Sequence, residues 1–529
     1  RALADRLEHA NANAVTIAHH YAEAARPGDV STAVDWLFRA AENAVGELGW
    51  EEARALAARA AELLNLEEPG ALPELRARGL YFHARFTDGL DGAAKARSIM
   101  DAVAAANALG DIQLAARAVA LPLSLAVGEV HRQYVEAAIS VLNELGNSLE
   151  PARAEITFAL CQHLIVGGCG SEANDVARRY AEPLVSSPDF HTSLVALGAI
   201  AYAGLATGQL LRLDAFLSDA ALAQAMADGP YWTFVLHGGR FIWHLHHGER
   251  AAFENELALM AAGAPRSLPV AQQLMSLQRA VMIAMLDGRF ADAEDIANDL
   301  LVRARASADA GGWGNFLAGY ALHMMLIRLE QGRIAELLPL LESSVATNPL
   351  AAVRLALAVA LIENAEHARA DELVAAFVDD ESLPYDIMRP VAIAMLGEYL
   401  ARTRDRRLAL LALSVLEPFQ ALTLAPIAPA VCLGPTDRYR AMALSVLGRH
   451  DEAESHFDAA LVIDERLKAP PLIARTQYWY ARMLVDRGHH DDYDRARAVA
   501  EHSAATAREF GMGGLVRDSA ELIARLIAN

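Results

Sequence analysis

Only two lysines, Lys95 and Lys468, occur among the 46 basic residues of this 529-residue chain, and neither lies in a glycine-rich setting. A Gly-x-x-x-x-Gly-Lys-Ser/Thr phosphate loop needs that lysine beside exposed backbone amides, so this chain encodes no P-loop ATPase. The arginine bias points to a GC-rich genome rather than to chemistry. Cysteine is as scarce. Cys161, Cys169 and Cys432 make no disulfide framework at this length, which points to a reducing cytoplasm, and matched ligands for zinc are missing around the first two. His-Glu-x-x-His, Gly-x-Ser-x-Gly and Cys-x-x-Cys are missing too, so no catalytic residues, metal ligands or cofactor site are expected. Alternating β-branched runs are nearly absent, which argues against a sheet protein. The longest apolar run, Leu194 to Ala206, is too short to span a bilayer, and no signal peptide opens the chain. The start at Arg1, without methionine, points to a piece of a longer protein. Positive charge is in deficit as well. A net charge of −21 repels phosphate backbones, so direct nucleic-acid binding is not expected.

What is present is helix-forming and repetitive. Hydrophobic residues make up 54% of the chain, with abundant alanine, the best helix former. The stretch AVMIAMLDGRFADA, Ala280 to Ala293, ends one apolar helix, turns at Asp287-Gly288-Arg289, and opens the next with Phe290 and Ala293. Gly128, Gly168, Gly208, Gly248 and Gly288 follow one another at 40-residue intervals, and each is read as ending the first helix of a hairpin in the left-handed conformation. Gly49, Gly92, Gly332, Gly448 and Gly488 extend the pattern less regularly. The expected fold is all-α: a right-handed superhelix of tetratricopeptide-like hairpins with a period of about 40 residues, roughly a dozen in all, each burying its apolar face against its neighbours.

Residues 1–30 read as a helix and loop ending at Arg26-Pro27-Gly28-Asp29, a junction leaving an absent N-terminal module. Residues 31–529 form the superhelical unit. Pro426, Pro429 and Pro435 crowd a segment, residues 423–437, that reads as an irregular loop, either a long connection or a hinge.

Two runs carry a resemblance. Near the start stand Ala18-His19-His20-Tyr21, then Trp36 with Ala40-Ala41-Glu42, then Gly49-Trp50-Glu51-Glu52-Ala53. Near the end stand Arg475-Thr476, Ala481-Arg482-Met483-Leu484, Arg487-Gly488, Arg495-Ala496-Arg497 and Phe510-Gly511-Met512. These resemble the helical-repeat region of bacterial STAND-type signalling ATPases of the MalT and AfsR kind, and of related ATPases fused to LuxR-type DNA-binding domains or nucleotide cyclases. The resemblance covers both ends, and the middle only as a repeat. It implies a cytoplasmic regulatory arm that binds an inducer, a sugar in MalT-like members, and releases an autoinhibited ATPase that self-associates. By that implication the partners are the inducer and the protein's own ATPase and DNA-binding modules. The alternative is a protein-interaction scaffold that binds a peptide or partner protein without a small ligand.

One helix offers more than a scaffold needs. From Pro230 to His247, steps of 100° place Tyr231, Phe234, Val235, Phe241, Ile242 and Leu245 on one arc. Trp232, His237, Arg240, Trp243, His244 and His247 share the other, with Leu236. Aromatic faces beside polar donors suit a sugar, another polyhydroxylated ligand or a peptide, and Arg240 suits a carboxylate or phosphate. The competing reading is burial of that second face by neighbouring repeats. Trp313 and Tyr320 share a face with Leu317 and Met324 and read as core. His489-His490-Asp491-Asp492 follow Gly488 in a turn and read as solvated rather than metal-binding.

Overall fold

The computed structural model describes residues 2–9, 13–46, 50–87, 92–121, 123, 128–207, 217–218, 230–263, 270–306, 313–347, 350–380, 382–386, 388–426 and 430–528. Among them every regular element is helical, and the only extended pairings are two isolated bridges, Cys169 with Tyr385 and Thr423 with Pro435. No described helix is long and apolar enough to cross a membrane.

The hairpins are built on one recurring turn. After helix Val270–Leu286, Gly288 adopts φ +76°, and the Arg289 amide donates to the Ala284 carbonyl at 2.8 Å. The Arg289 carbonyl then accepts from Ala293, opening helix Phe290–Ala306. A single residue thus closes one helix and starts the next. The same pair of bonds recurs at Gly168-Cys169, Gly248-Glu249 and Gly448-Arg449. Five residues after each glycine stand Ala173, Phe253, Ala293 and Ala453, all fully buried, where the paired helices meet. Glycine is suited here because its left-handed conformation carries no Cβ penalty.

Two glycines have the opposite role. Gly128 opens helix Gly128–Leu145 and Gly92 opens helix Gly92–Leu109. The left-handed stops in that region are Gly110 and Gly146, which lie outside the 40-residue series. Glycine is tolerated at either helix end, so spacing alone does not say which end it marks. Gly49 and Gly208 lie outside the described residues. The first 30 residues also differ from one helix and a loop. Asn13 accepts from the Val15 amide at 2.8 Å and starts a second helix, Ala14–Ala24, after Ala2–His9. The Tyr21 hydroxyl ties the two together, lying 2.7 Å from a carboxylate oxygen of both Asp5 and Glu8 and donating its one proton between them.

Three turn tips of the middle hairpins rest on the C-terminal hairpins. A Cβ at Gly248 would stand 2.9 Å from Ile463, one at Gly288 would strike the Phe510 ring, and one at Gly332 would lie 2.4 Å from the Gly514 amide nitrogen. The middle of the chain and its C-terminal end therefore meet along a seam. The segment between Leu416 and Thr436 locks it. It is irregular in its described residues, and 422–426, 430–431 and 433–436 are buried. Leu422 belongs to the N-terminal core, Ala425 to the core that joins Phe241 and Leu245 to Ile463 and Leu467, and Leu424, Val431 and Leu433 to the C-terminal core. Its backbone groups are satisfied locally, Leu433 to Leu424 at 2.8 Å and Leu424 to Gly434 at 2.9 Å, as burial of a loop requires. It also reaches the middle helices. The Thr423 amide donates to the His246 carbonyl at 2.7 Å, and the His323 imidazole donates to the Ala430 carbonyl at 2.9 Å.

Candidate functional site

Helix Pro230–His246 forms as expected and stops at Gly248, φ +69°. Phe241 and Leu245 are fully buried on the first arc, and Leu236 is fully buried on the second. His237 is buried, and its Nδ1 lies 2.5 Å from Glu256 Oε2. Arg240 donates through Nε to the other oxygen of Glu256 at 2.9 Å and through Nη1 to the Leu217 carbonyl at 2.8 Å. Glu256 is itself buried, on the inward stripe Phe253, Glu256, Met260 of the following helix, Arg250–Gly263. A carboxylate in an otherwise apolar stripe was the sequence signal for this partner.

The Trp243 and His247 rings pack at a tilt of 36° with centres 4.0 Å apart, and His247 Nδ1 donates to the Trp243 carbonyl at 2.8 Å. His244 turns away to Glu249 at 2.6 Å. The five described candidates therefore resolve into a His237–Arg240 pair on a shared carboxylate, a Trp243–His247 ring contact, and a separate His244–Glu249 hydrogen bond. The Trp232 side chain lies outside the described residues, as do those of Tyr231, Phe234, Val235, Leu317 and Trp313. Tyr320 donates to Asn298 at 3.2 Å, and Met324 is buried.

His246 was not a candidate, yet it is the most enclosed histidine of this helix. Its Nδ1 donates to the Thr423 carbonyl at 2.9 Å, and burial pulls its pKa down to about 4.

A second histidine cluster joins distant turns. His131 Nδ1 lies 2.7 Å from His163 Nε2, and its Nε2 lies 4.0 Å from the Cys169 sulfur. Burial, and then Glu172, push the Cys169 thiol up, away from the thiolate a nucleophile needs. Among the described residues no group of three His, Cys, Asp or Glu side chains is arranged around a metal position. His489 and His490 sit in the turn after Gly488; the His489 amide bonds Asp492 at 3.1 Å, and Arg487 grips the same carboxylate at 2.8 Å.

A cavity lies elsewhere. A half-open cleft of about 640 Å³ lies where helices Arg389–Thr403, Pro470–Arg487 and Gly513–Ala528 meet the 332–335 turn and the end of Ala351–Glu363. Its lining is dense in charge, with Arg402, Arg404, Arg482, Arg517 and Arg525 facing Glu363, Asp486, Asp518 and Glu521 beside Tyr478 and Trp479. The Trp479 ring is flanked by two guanidiniums, Arg402 at 5.5 Å and Arg482 at 5.3 Å, each a cation–π contact.

From the cleft an alternating chain of charges runs inward. Arg517 reaches Glu363 at 3.4 Å, and Glu363 accepts from Arg402 at 2.9 Å. Arg402 bonds Glu398, Glu398 meets Arg475 at 3.3 Å, and Arg475 ends on Glu330 at 2.8 Å. Burial alone pushes the Glu398 carboxyl up, but Arg475 and Arg402 more than offset it and hold it at about 2. Burial also lowers the affinity of Arg475 for its proton, and Glu330 and Glu398 outweigh that, so the net direction is up. Sequence reasoning missed this site because its walls come from five segments whose spacing reflects tertiary packing rather than a motif.

No protein-family model matches the chain, and no curated protein matches it.

Proposed function

We propose that the chain is the sensor and scaffold arm of a bacterial signal-transduction ATPase or transcriptional regulator, with no catalysis of its own. In this reading the hairpins stack as a right-handed superhelix in the cytoplasm. An inducer, a sugar or another small metabolite, relieves autoinhibition of the ATPase module that precedes the arm. The carrying observation is the 640 Å³ cleft, whose walls combine residues 332 to 525. A ligand there touches several packed helices at once and binds one arrangement of them better than another, which is the requirement for shifting a population. The turn chemistry and the resemblance of both ends to STAND-type arms support the same reading.

The test is a thermal-shift screen of the purified chain against sugars, nucleotides and small metabolites, repeated on Arg482→Gln and Trp243→Ala. A ligand at 100 times its dissociation constant stabilises a one-site protein by about 2.7 kcal/mol. A hit lost in Arg482→Gln supports the cleft, and one lost only in Trp243→Ala moves the site to the Pro230–His246 helix. No hit from any class overturns the sensor reading in favour of a protein-interaction scaffold.

A further inference from the structure

The charges that line the cleft are not all matched. Arg404 pairs with Asp486 at 2.5 Å, Arg402 and Arg517 share Glu363, and Arg525 faces Glu521 at 3.7 Å. Two groups are left over. Arg482 lies over Trp479, a contact that leaves its charge without a carboxylate among the described residues. Asp518 has no guanidinium within ion-pair distance among the described residues, although it lines the same cleft. Both line the cleft together with Tyr478. No ion pair joins them.

We infer that the cleft takes a small zwitterion, an α-amino acid or a molecule with the same paired ammonium and carboxylate, with Arg482 holding the carboxylate and Asp518 the ammonium. The inference rests on the cleft being the ligand site proposed above. A fixed guanidinium fork matches a carboxylate, and an unpaired, partly desolvated carboxylate gains most from a cation. Burial pushes the Asp518 carboxyl up, and the more distant Arg402, Arg517 and Arg475 do not fully offset it. A simple anion answers Arg482 and leaves Asp518 repelling it. A simple amine answers Asp518 and faces five arginines. A neutral sugar answers neither. Ile334, Ile362 and Leu522 on the cleft wall offer apolar contact to a side chain.

The test is isothermal titration of the chain with each of the twenty proteinogenic amino acids. The best binder is then compared with its two truncations, the acid lacking the amino group and the amine lacking the carboxylate. We expect both truncations to bind about tenfold or more weakly. Arg482→Gln should weaken the amino acid by a similar factor without weakening the amine, and Asp518→Asn should weaken the amino acid without weakening the acid. The truncations are measured on the unaltered protein, so the answer does not depend on either variant folding. Binding of the acid as tight as that of the amino acid overturns the inference and makes the cleft an anion site. Failure of all twenty, while another metabolite stabilises the protein through Arg482, also overturns it but leaves the sensor reading standing. Only failure of every class removes both.

Discussion

Glu256 shows how a helix face that looks made for a ligand can be occupied from within the fold. Its two oxygens are divided between His237 and Arg240, and the carboxylate is buried. Removing one partner from a buried charged cluster leaves the other uncompensated, at a typical cost of about 3–5 kcal/mol. Glu256→Ala is therefore expected to lower the unfolding free energy by about 3 kcal/mol, read as a drop in the urea midpoint. Glu249→Ala, which frees only the partly exposed His244, should cost about 1 kcal/mol or less. Equal effects would mean that Glu256 is not the anchor of this face. His246 and His323 carry a second residue-scale consequence. Burial pulls each down to about 4, and each donates its one proton to a backbone carbonyl of the same buried segment, at Thr423 and Ala430. A histidine with a lowered folded pKa contributes stability that is whole above about pH 6.5 and lost as pH falls towards 4, by up to about 1 kcal/mol per pH unit each. Asp464 and Asp386, pushed up by burial to about 7 and about 6, act in the opposite direction. The difference between wild type and His246→Gln cancels them. The variant's melting temperature should fall less steeply than the wild type's between pH 6.5 and pH 4, and parallel curves would show that His246 does not titrate.

At the scale of the element, the hairpin turn carries most of what the sequence makes legible. Gly288-Arg289-Phe290-x-x-Ala293 encodes the left-handed stop, the bond back to Ala284 and the small contact residue, all within the ten residues 284–293. Local chemistry of this kind is readable because no distant residue is needed to complete it. Gly128 and Gly92 mislead for the same local reason, since glycine fits both ends of a helix. The other half of each turn's role was hidden. Gly332 is not only left-handed, φ +71°; a Cβ there would also collide with the Gly514 backbone, 182 residues further on. Gly448 has φ +80° and open space around it. Alanine at Gly448 therefore meets backbone strain alone, about 1 kcal/mol. Alanine at Gly332 meets that strain and a clash with rigid backbone, so it should cost at least about twice as much. It should also speed amide exchange in helix Gly513–Ala528, whose start must move aside. Similar losses at the two glycines, with unchanged exchange in that helix, would show that the seam yields freely. The cleft was illegible because Glu363, Arg402, Arg482 and Asp518 sit on four helices and become neighbours only after the seam closes.

For the molecule as a whole, closure depends on two connections of different character. The 416–436 segment contributes apolar side chains to three cores, a contribution spread over many contacts. The chain of charges from Arg517 through Glu363, Arg402, Glu398 and Arg475 to Glu330 is discrete. It crosses the helices ending at Gln331, Glu363, Thr403 and Arg487 before reaching Gly513–Ala528, and its outer members line the cleft. Buried ions of alternating sign depend on one another, so the links should not be additive. Arg475→Met leaves Glu398 and Glu330 facing each other's charge without the guanidinium between them, and is expected to cost about 3–5 kcal/mol. Glu398→Gln removes the carboxylate that Arg402 and Arg475 share, with a loss of similar size. Once Arg475 is gone, however, neutralising Glu398 removes a charge that has lost half its compensation. The double variant Arg475→Met with Glu398→Gln should therefore be more stable than the sum of the single losses requires, by at least about 1 kcal/mol, in a double-mutant cycle read by urea unfolding at pH 7. Arg517, four links from Arg475 at the solvent end, serves as the distant reference. The Arg517→Ala loss should add to that of Arg475→Met to within about 0.5 kcal/mol. Additivity at Glu398 as well would mean that the inner ions are screened from one another. The cleft would then be attached to the core by packing alone, and a ligand bound there would act through helix position rather than through the charges beneath it.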